Sequence, residues 1–189
     1  MIRDLIRRNR SYRRFDEEVD IKLESLREFV DLARLSASAK NWQPLKYILS
    51  CDRHKNSLIF PHLTWARFLA NWPGPSEGER PSAYVIILGD TEISRFWDYD
   101  AGIAAQSTLL GATEKGLGGC MIANVDREGL GRALEIPRRY EILLVVALGN
   151  PKEKVVIETV GPDGNTRYWR DSEGVHHVPK RPLDDIIIS

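Results

Sequence analysis

The chain has 189 residues, 42% of them apolar, which is enough to enclose one core and fits a single domain over residues 1–189. Its 27 basic and 27 acidic residues balance, which argues against a nucleic-acid binder held by bulk charge. The opening Met1-Ile-Arg-Asp-Leu-Ile-Arg-Arg8 lacks the apolar stretch of a secretory signal, and no run approaches the roughly 18 apolar residues of a membrane span, so a cytoplasmic protein without membrane contact is expected.

Residues 2–9 read as a short helix ending in a basic stretch. Asp20 is placed to N-cap a longer helix, in which Leu23, Leu26, Phe29, Val30, Ala33 and Ala37 recur on one face. Leu45 to Cys51 reads as a strand. Residues 52–82 are mixed, with a loop at Asn71-Trp-Pro-Gly-Pro75. The unbroken apolar run Tyr84 to Leu88 suits a central strand covered on both faces. A long helix is expected from Asp98 to Lys115, with Ala101, Ala104, Ala105 and Ala112 small enough to admit another helix and Gly116 ending it. Gly119 to Ala123 reads as a short extended segment. Asp126 caps a helix through Leu134, stopped by Pro137, and Ile142 to Leu148 is a second buried strand. Val155–Val160 and Thr166–Trp169 flank Gly161-Pro-Asp-Gly164, a hairpin signal. The irregular order of helices and strands predicts an α+β fold, with helices packed around a central sheet.

Six features bear on candidate chemistry. In Arg10-Ser11-Tyr12-Arg13-Arg14-Phe15, two guanidinium groups three residues apart beside a hydroxyl suit a phosphate dianion. Taken alone, the same cluster also reads as a solvated surface segment. In Ser36-Ala-Ser-Ala-Lys-Asn-Trp-Gln-Pro44, Ser38, Asn41 and Gln43 offer donors and acceptors of the kind that read a heterocycle edge, or form an ordinary polar loop. Gly116-Leu-Gly-Gly-Cys-Met-Ile-Ala-Asn-Val-Asp126 is not a dinucleotide fingerprint: its glycines follow a helix, and Met121 stands where the last glycine belongs. Those glycines do allow backbone to approach a flat ligand. Adjacent His176 and His177 point to opposite sides of an extended tail, so no metal site is expected. Asp98 and Asp100 form either an acid–base pair or the acidic first turn of a helix. Cys51 and Cys120, far apart in apolar surroundings, read as reduced, buried thiols.

In order and spacing, Arg-Ser-x-Arg-x-Phe at 10–15, Ser-x-x-Asn-x-Gln-Pro at 38–44, Asp100-Ala-Gly-Ile-Ala-Ala-Gln106, Gly116-Leu-Gly118 and Leu148-Gly-Asn-Pro151 resemble the FMN-dependent nitroreductase family. The resemblance covers nearly the whole chain except residues 52–80, and the tail from Tyr168-Trp-Arg-Asp171 to Lys180-Arg181 looks like that of a compact subgroup. It implies a mostly antiparallel sheet surrounded by helices, and a homodimer with two FMN sites at its interface. It implies that Arg10, Ser11 and Arg13 hold the FMN phosphate, helped by Lys180 or Arg181. Ser38, Asn41 and Gln43 would reach the flavin from the other subunit, and Met121, Ile122, Ala123 and Asn124 would run along the isoalloxazine edge. Many members have Arg where this chain has Asn9, so the set of phosphate ligands stays open. No dedicated catalytic acid or base is implied, because the flavin carries the redox chemistry. NADH or NADPH would reduce FMN, which would then reduce a nitro, quinone or related small-molecule acceptor by a ping-pong route. The alternative is an FMN-binding electron carrier or sensor without nicotinamide-driven turnover. Residues 60–80, where the resemblance is poorest, are the expected specificity segment.

Overall fold

A strand that is apolar at every position needs cover on both faces, and the run from Tyr84 to Leu88 has it. In the computed structural model, which describes residues 1–69 and 71–188, the elements are α1 (Ile2–Arg8), β1 (Phe15–Asp16), α2 (Leu23–Leu35), β2 (Leu45–Ser50), α3 (Arg53–Ile59), β3 (Ala83–Asp90), α4 (Asp98–Glu114), β4 (Gly118–Ile122), α5 (Arg127–Ala133), β5 (Tyr140–Pro151), β6 (Val155–Thr159), β7 (Trp169–Arg170) and β8 (His176–Lys180). β5 lies at the centre of a five-stranded sheet. β3 pairs along one of its edges with β2 outside it, β4 also pairs with β5, and β1 pairs with the C-terminal end of β5; every pair is antiparallel. Val85 and Ile87 of β3 face the core under α2 and α4, with Leu26, Phe29, Ala104 and Leu109. Tyr84, Ile86 and Leu88 face the other layer, with Ile59, Trp65 and Leu130. Burying each large apolar side chain contributes about 1.5–3 kcal/mol, so the two faces together hold the helices on the sheet.

The α+β architecture is as expected, and so is the end of α4. Gly116 takes φ +78°. Its N–H bonds to Thr113 O at 3.1 Å, and Leu117 N–H reaches Ala112 O at 2.9 Å, which closes a Schellman motif. Several local expectations need correction. α2 starts after Lys22 rather than Asp20, because Ile21 is drawn into the core and Lys22, the N-cap, is itself extended; it ends at Leu35, so Ala37 lies outside it. The region from 52 contains α3, capped by Asp52, whose carboxylate accepts from Lys55 N at 2.8 Å. β5 runs to Pro151 because its end pairs with β1. Cys120 is buried, whereas Cys51 is only half-buried; both are free thiols. Among the described residues, no helix is long and apolar enough to cross a membrane.

The largest correction concerns the tail. Gly161 and Gly164 do close a turn, but the strands around it do not form a hairpin. β6 pairs in parallel with β8, and β7 pairs antiparallel with β8, so β8 takes the middle of a separate three-stranded sheet. The tight turn is Asp171–Gly174 instead, where Gly174 N–H bonds to Asp171 O at 3.1 Å. β8 wins the central place because its own side chains make the cross-strand contacts. His177 stacks on Trp169 of β7 at 4.0 Å and 8°, and its Nε2 lies 3.1 Å from Asp171. Its Nδ1 faces Glu158 of β6 at 2.5 Å, and these two carboxylates raise its pKa. His176, 1% exposed, turns the other way into the protein.

Two outcomes test this packing. A Cβ at Gly119 would lie 2.4 Å from Ala147 O and 2.6 Å from Leu109 Cδ2. Gly119→Ala is therefore expected to lose about 1–3 kcal/mol of stability in urea denaturation; an unchanged midpoint would contradict the register of β4 on β5. The second outcome concerns acid. Burial, then the neighbouring charges of Arg13, Arg170 and His177, push His176 down to about 4. In the unfolded chain it titrates at about 6.5. The unfolded state thus takes up a proton before the folded state does, and stability present above pH 6.5 drains away as pH falls toward 4. Wild type is expected to lose on the order of 2 kcal/mol more than His176→Gln between pH 7 and pH 5. Parallel losses in the two proteins would show that His176 is not buried in neutral form.

Candidate functional site

The N-terminal segment crosses the sheet edge in extended form and is tied down at each step. Tyr12 N–H bonds to Gly119 O of β4 at 3.0 Å, and Phe15 N–H bonds to Glu79 O at 3.0 Å. Arg13 N–H and Arg14 N–H both donate to the Glu153 carboxylate. These tethers aim Arg10, Ser11 and Arg13 into a cavity of about 240 Å³, whose other walls are Asn9, Gln106, Leu109, Met121, Tyr168, His176, Val178 and Lys180. Five residues expected at the site, from three distant stretches of sequence, meet here: Arg10, Ser11, Arg13, Met121 and Lys180. Arg181 is exposed and does not line the cavity.

The charges around this cavity are uncompensated. Arg14 pairs with Glu79 and Arg170 with Glu153. Among the described residues, Arg10, Arg13 and Lys180 have no carboxylate partner of this kind. Arg10 donates through Nη2 to Ile6 O at 2.5 Å, but its Nε is buried with no partner, and burial lowers its pKa. Arg13 is fixed by Ser11 O and His176 Nε2, each 3.2 Å from Nη1, and lies over the Tyr168 ring at 4.8 Å. Three cations around a small cavity, one with an unmet buried donor, suit an anion with several oxygens.

The turn at 38–43 lies elsewhere. Ser38 and Gln43 line a second recess of about 210 Å³ that shares no residue with the first. Asp100, 2% exposed in the first turn of α4, organises it: its carboxylate accepts from Ser38 Oγ at 2.5 Å and from Ala39 N–H at 2.9 Å. Gln43 N–H returns to Ser38 Oγ at 2.9 Å. Lys40, Asn41 and Gln43 all hold positive φ, 50°, 55° and 51°. Left-handed backbone costs roughly 1–2 kcal/mol per non-glycine residue, and strain of this kind concentrates at functional sites.

Along β4, Met121 lines both the cation cavity and an adjoining open groove of about 820 Å³, walled by Ala101, Gly102, Tyr140 and Leu144 among others. The Ile122 side chain is committed to the core, so that residue presents only backbone. Ala123 and Asn124 are exposed, their carbonyls accepting from Arg127 Nη2 at 3.1 Å and Thr64 N at 3.0 Å. Gly119 serves the packing of β4 on β5 rather than approach to a ligand. Gln106, Tyr168 and His176 line this cavity without having been assigned to it by the sequence, whereas Asn9 stands where the family resemblance leaves the phosphate ligands open. For His176 one signal was present, since adjacent histidines in a strand send one ring inward.

A model of the family described as "Nitroreductase family" matches residues 6–150. A relative from Archaeoglobus fulgidus, provisionally named NADH dehydrogenase/NAD(P)H nitroreductase, is 27% identical over 158 residues, 79% of this chain and 85% of its own length. The fold is similar to that of a nitroreductase family protein from Streptococcus pneumoniae TIGR4, at 16% identity and a TM-score of 0.72 with both chains fully covered. It is also similar to an FMN-dependent nitroreductase from Clostridium difficile R20291, at 23% identity and a TM-score of 0.66, covering 82% of this chain and 89% of the other. A third similar structure is an NADPH:FMN oxidoreductase from Vibrio harveyi bound to NAD+, at 23% identity and a TM-score of 0.62, covering 79% and 68%. With residues 6–150 matched by the family model, on a fold shared with solved members, this chain belongs to the nitroreductase family.

Proposed function

We propose that the chain takes reducing equivalents from NADH or NADPH and passes them to a nitro, quinone or related small-molecule acceptor by a ping-pong route, as a cytoplasmic homodimer with FMN between its subunits. The observation that carries the site is the convergence of Arg10, Arg13 and Lys180, without carboxylate partners among the described residues, on one cavity. Arg10 and Arg13 would hold the FMN phosphate through forked donors, with Ser11 adding a hydroxyl and Lys180 a point charge from the rim. Bound FMN supplies the two-electron chemistry that none of these side chains offers. Met121, Ile122, Ala123 and Asn124 would offer backbone to the ring, and Arg181, outside the cavity, would contribute at most long-range charge.

Ser38, Asn41 and Gln43 would serve the partner's flavin. Two features support that reading. Their recess is separate from the cation cavity of the same chain. Large apolar side chains also stand exposed beside it: Phe96, 74% exposed and 6.3 Å from the Trp42 ring, followed by Tyr99 and Ile103 on α4. An exposed apolar cluster of this kind marks an interface.

Anaerobic addition of NADH or NADPH to the FMN-loaded protein is expected to bleach the flavin, and a nitroaromatic or quinone is expected to restore its colour. Flavin that binds but does not bleach would replace this reading with that of an electron carrier or sensor. For the grip itself, Arg13→Ala is expected to weaken FMN binding about ten- to a hundred-fold, since a charged hydrogen bond is worth roughly 1.5–3 kcal/mol. Arg7→Ala, on the exposed side of α1, should leave the affinity unchanged. Equal affinities in flavin titrations would remove Arg13 from the site.

A further inference from the structure

We infer that His176, a residue of the C-terminal β8 strand, is a positioning residue for the phosphate grip: as a neutral ring it accepts a hydrogen bond from Arg13 and so sets the direction of that guanidinium. The inference rests on the FMN-phosphate reading of the cation cavity. His176 Nε2 lies 3.2 Å from Arg13 Nη1. Arginine only donates, so Nε2 must be bare, and in the neutral ring the proton sits on Nδ1. That Nδ1 is buried and has no partner among the described residues. A buried histidine with an orphaned N–H, next to two arginines and held far below its ordinary pKa, is a poor choice for a core position. An apolar residue of similar size would pack there without either cost. What the histidine supplies and an apolar residue cannot is an uncharged acceptor at neutral pH.

The consequence for Arg13 is geometric. Nη1 carries two hydrogens, and these go to Ser11 O and His176 Nε2. The Tyr168 ring lies under the guanidinium plane at 4.8 Å, and is itself 5.2 Å from the His176 ring. With Nη1 engaged and the plane supported, Nε and Nη2 keep their donors for a ligand in the cavity that His176 also lines. The tail therefore contributes to the grip twice: Lys180 as charge, and His176 by orienting a charge from the other end of the chain.

FMN and riboflavin differ by the phosphate alone, so the ratio of their affinities reads the grip and cancels general damage to the flavin site. We expect wild type to prefer FMN. His176→Leu should lower that preference about tenfold, the effect of misdirecting one charged hydrogen bond, while riboflavin affinity stays unchanged; His176→Gln, which keeps an acceptor, should retain most of the preference. A fall in both affinities by the same factor, or an unaltered ratio in His176→Leu, overturns the positioning role and leaves the phosphate site standing. A wild type without preference for FMN overturns the phosphate site and the inference together. Nitrogen NMR of the unmutated protein gives a second measure that needs no variant. The Nδ1–H tautomer at pH 7 is expected, and the Nε2–H tautomer, which has no lone pair for Arg13, overturns the inference.

Discussion

The carboxylate of Glu153 is shared by both ends of the protein, and the rest of the site depends on it. Its side chain is 1% exposed, and it accepts from Arg13 N–H, from Arg14 N–H at 3.2 Å and from the Arg170 guanidinium at 2.9 Å. A buried carboxylate is tolerated only with such a full set of donors, because losing them leaves an unpaired charge in a poorly solvated place. Two of its donors are backbone groups of the N-terminal segment, and the third belongs to β7. Glu153 thereby locks residues 13–14 against the tail, and sequence positions more than 130 residues apart come to face one cavity. That lock holds Arg10, Arg13 and Lys180 at one cavity against their mutual repulsion.

The charges follow a consistent division. Arginines that hold the fold, Arg14 and Arg170, are paired with carboxylates. Those that line the cavity are held by neutral acceptors: Ile6 O for Arg10, and Ser11 O with His176 for Arg13. A neutral acceptor fixes a guanidinium without cancelling its charge, so the full electrostatic attraction remains for an anion. Asp100 plays the converse role at the other recess. There a buried carboxylate anchors the turn that carries three left-handed residues between α2 and β2, and presents it beside the exposed Phe96, Tyr99 and Ile103.

The elements that were legible in the sequence are those whose signal is local. The runs Tyr84–Leu88 of β3 and Ile142–Leu148 of β5 are apolar without a break because both faces are covered, and α4 announces its end through Gly116. α3 was hidden because seven residues such as Arg-His-Lys-Asn-Ser are too few and too polar to show a helical period, although Asp52 supplied a cap signal. The tail was misread because Gly161-Pro-Asp-Gly164 looks like a hairpin turn on local grounds. The actual partner of β6 is chosen by His177, which meets Glu158 and Trp169 across the sheet. At the site, arginine and serine types declared a phosphate chemistry, yet their convergence with Met121 and Lys180 entered only through resemblance to a known family. Glu153 and His176 act through contacts some 140 and 163 residues away in sequence, and no spacing rule reaches that far.

A crystal structure of the FMN-loaded protein tests the central claim most directly. The account predicts two chains in the particle, and a phosphate group inside the cavity of one chain within hydrogen-bond distance of Arg10, Ser11 and Arg13. The ring of the same FMN should lie beside Met121 and against the Ser38–Gln43 turn of the second chain. A phosphate outside that cavity, or a flavin held wholly by one chain at its own Ser38–Asp100 recess, would contradict it.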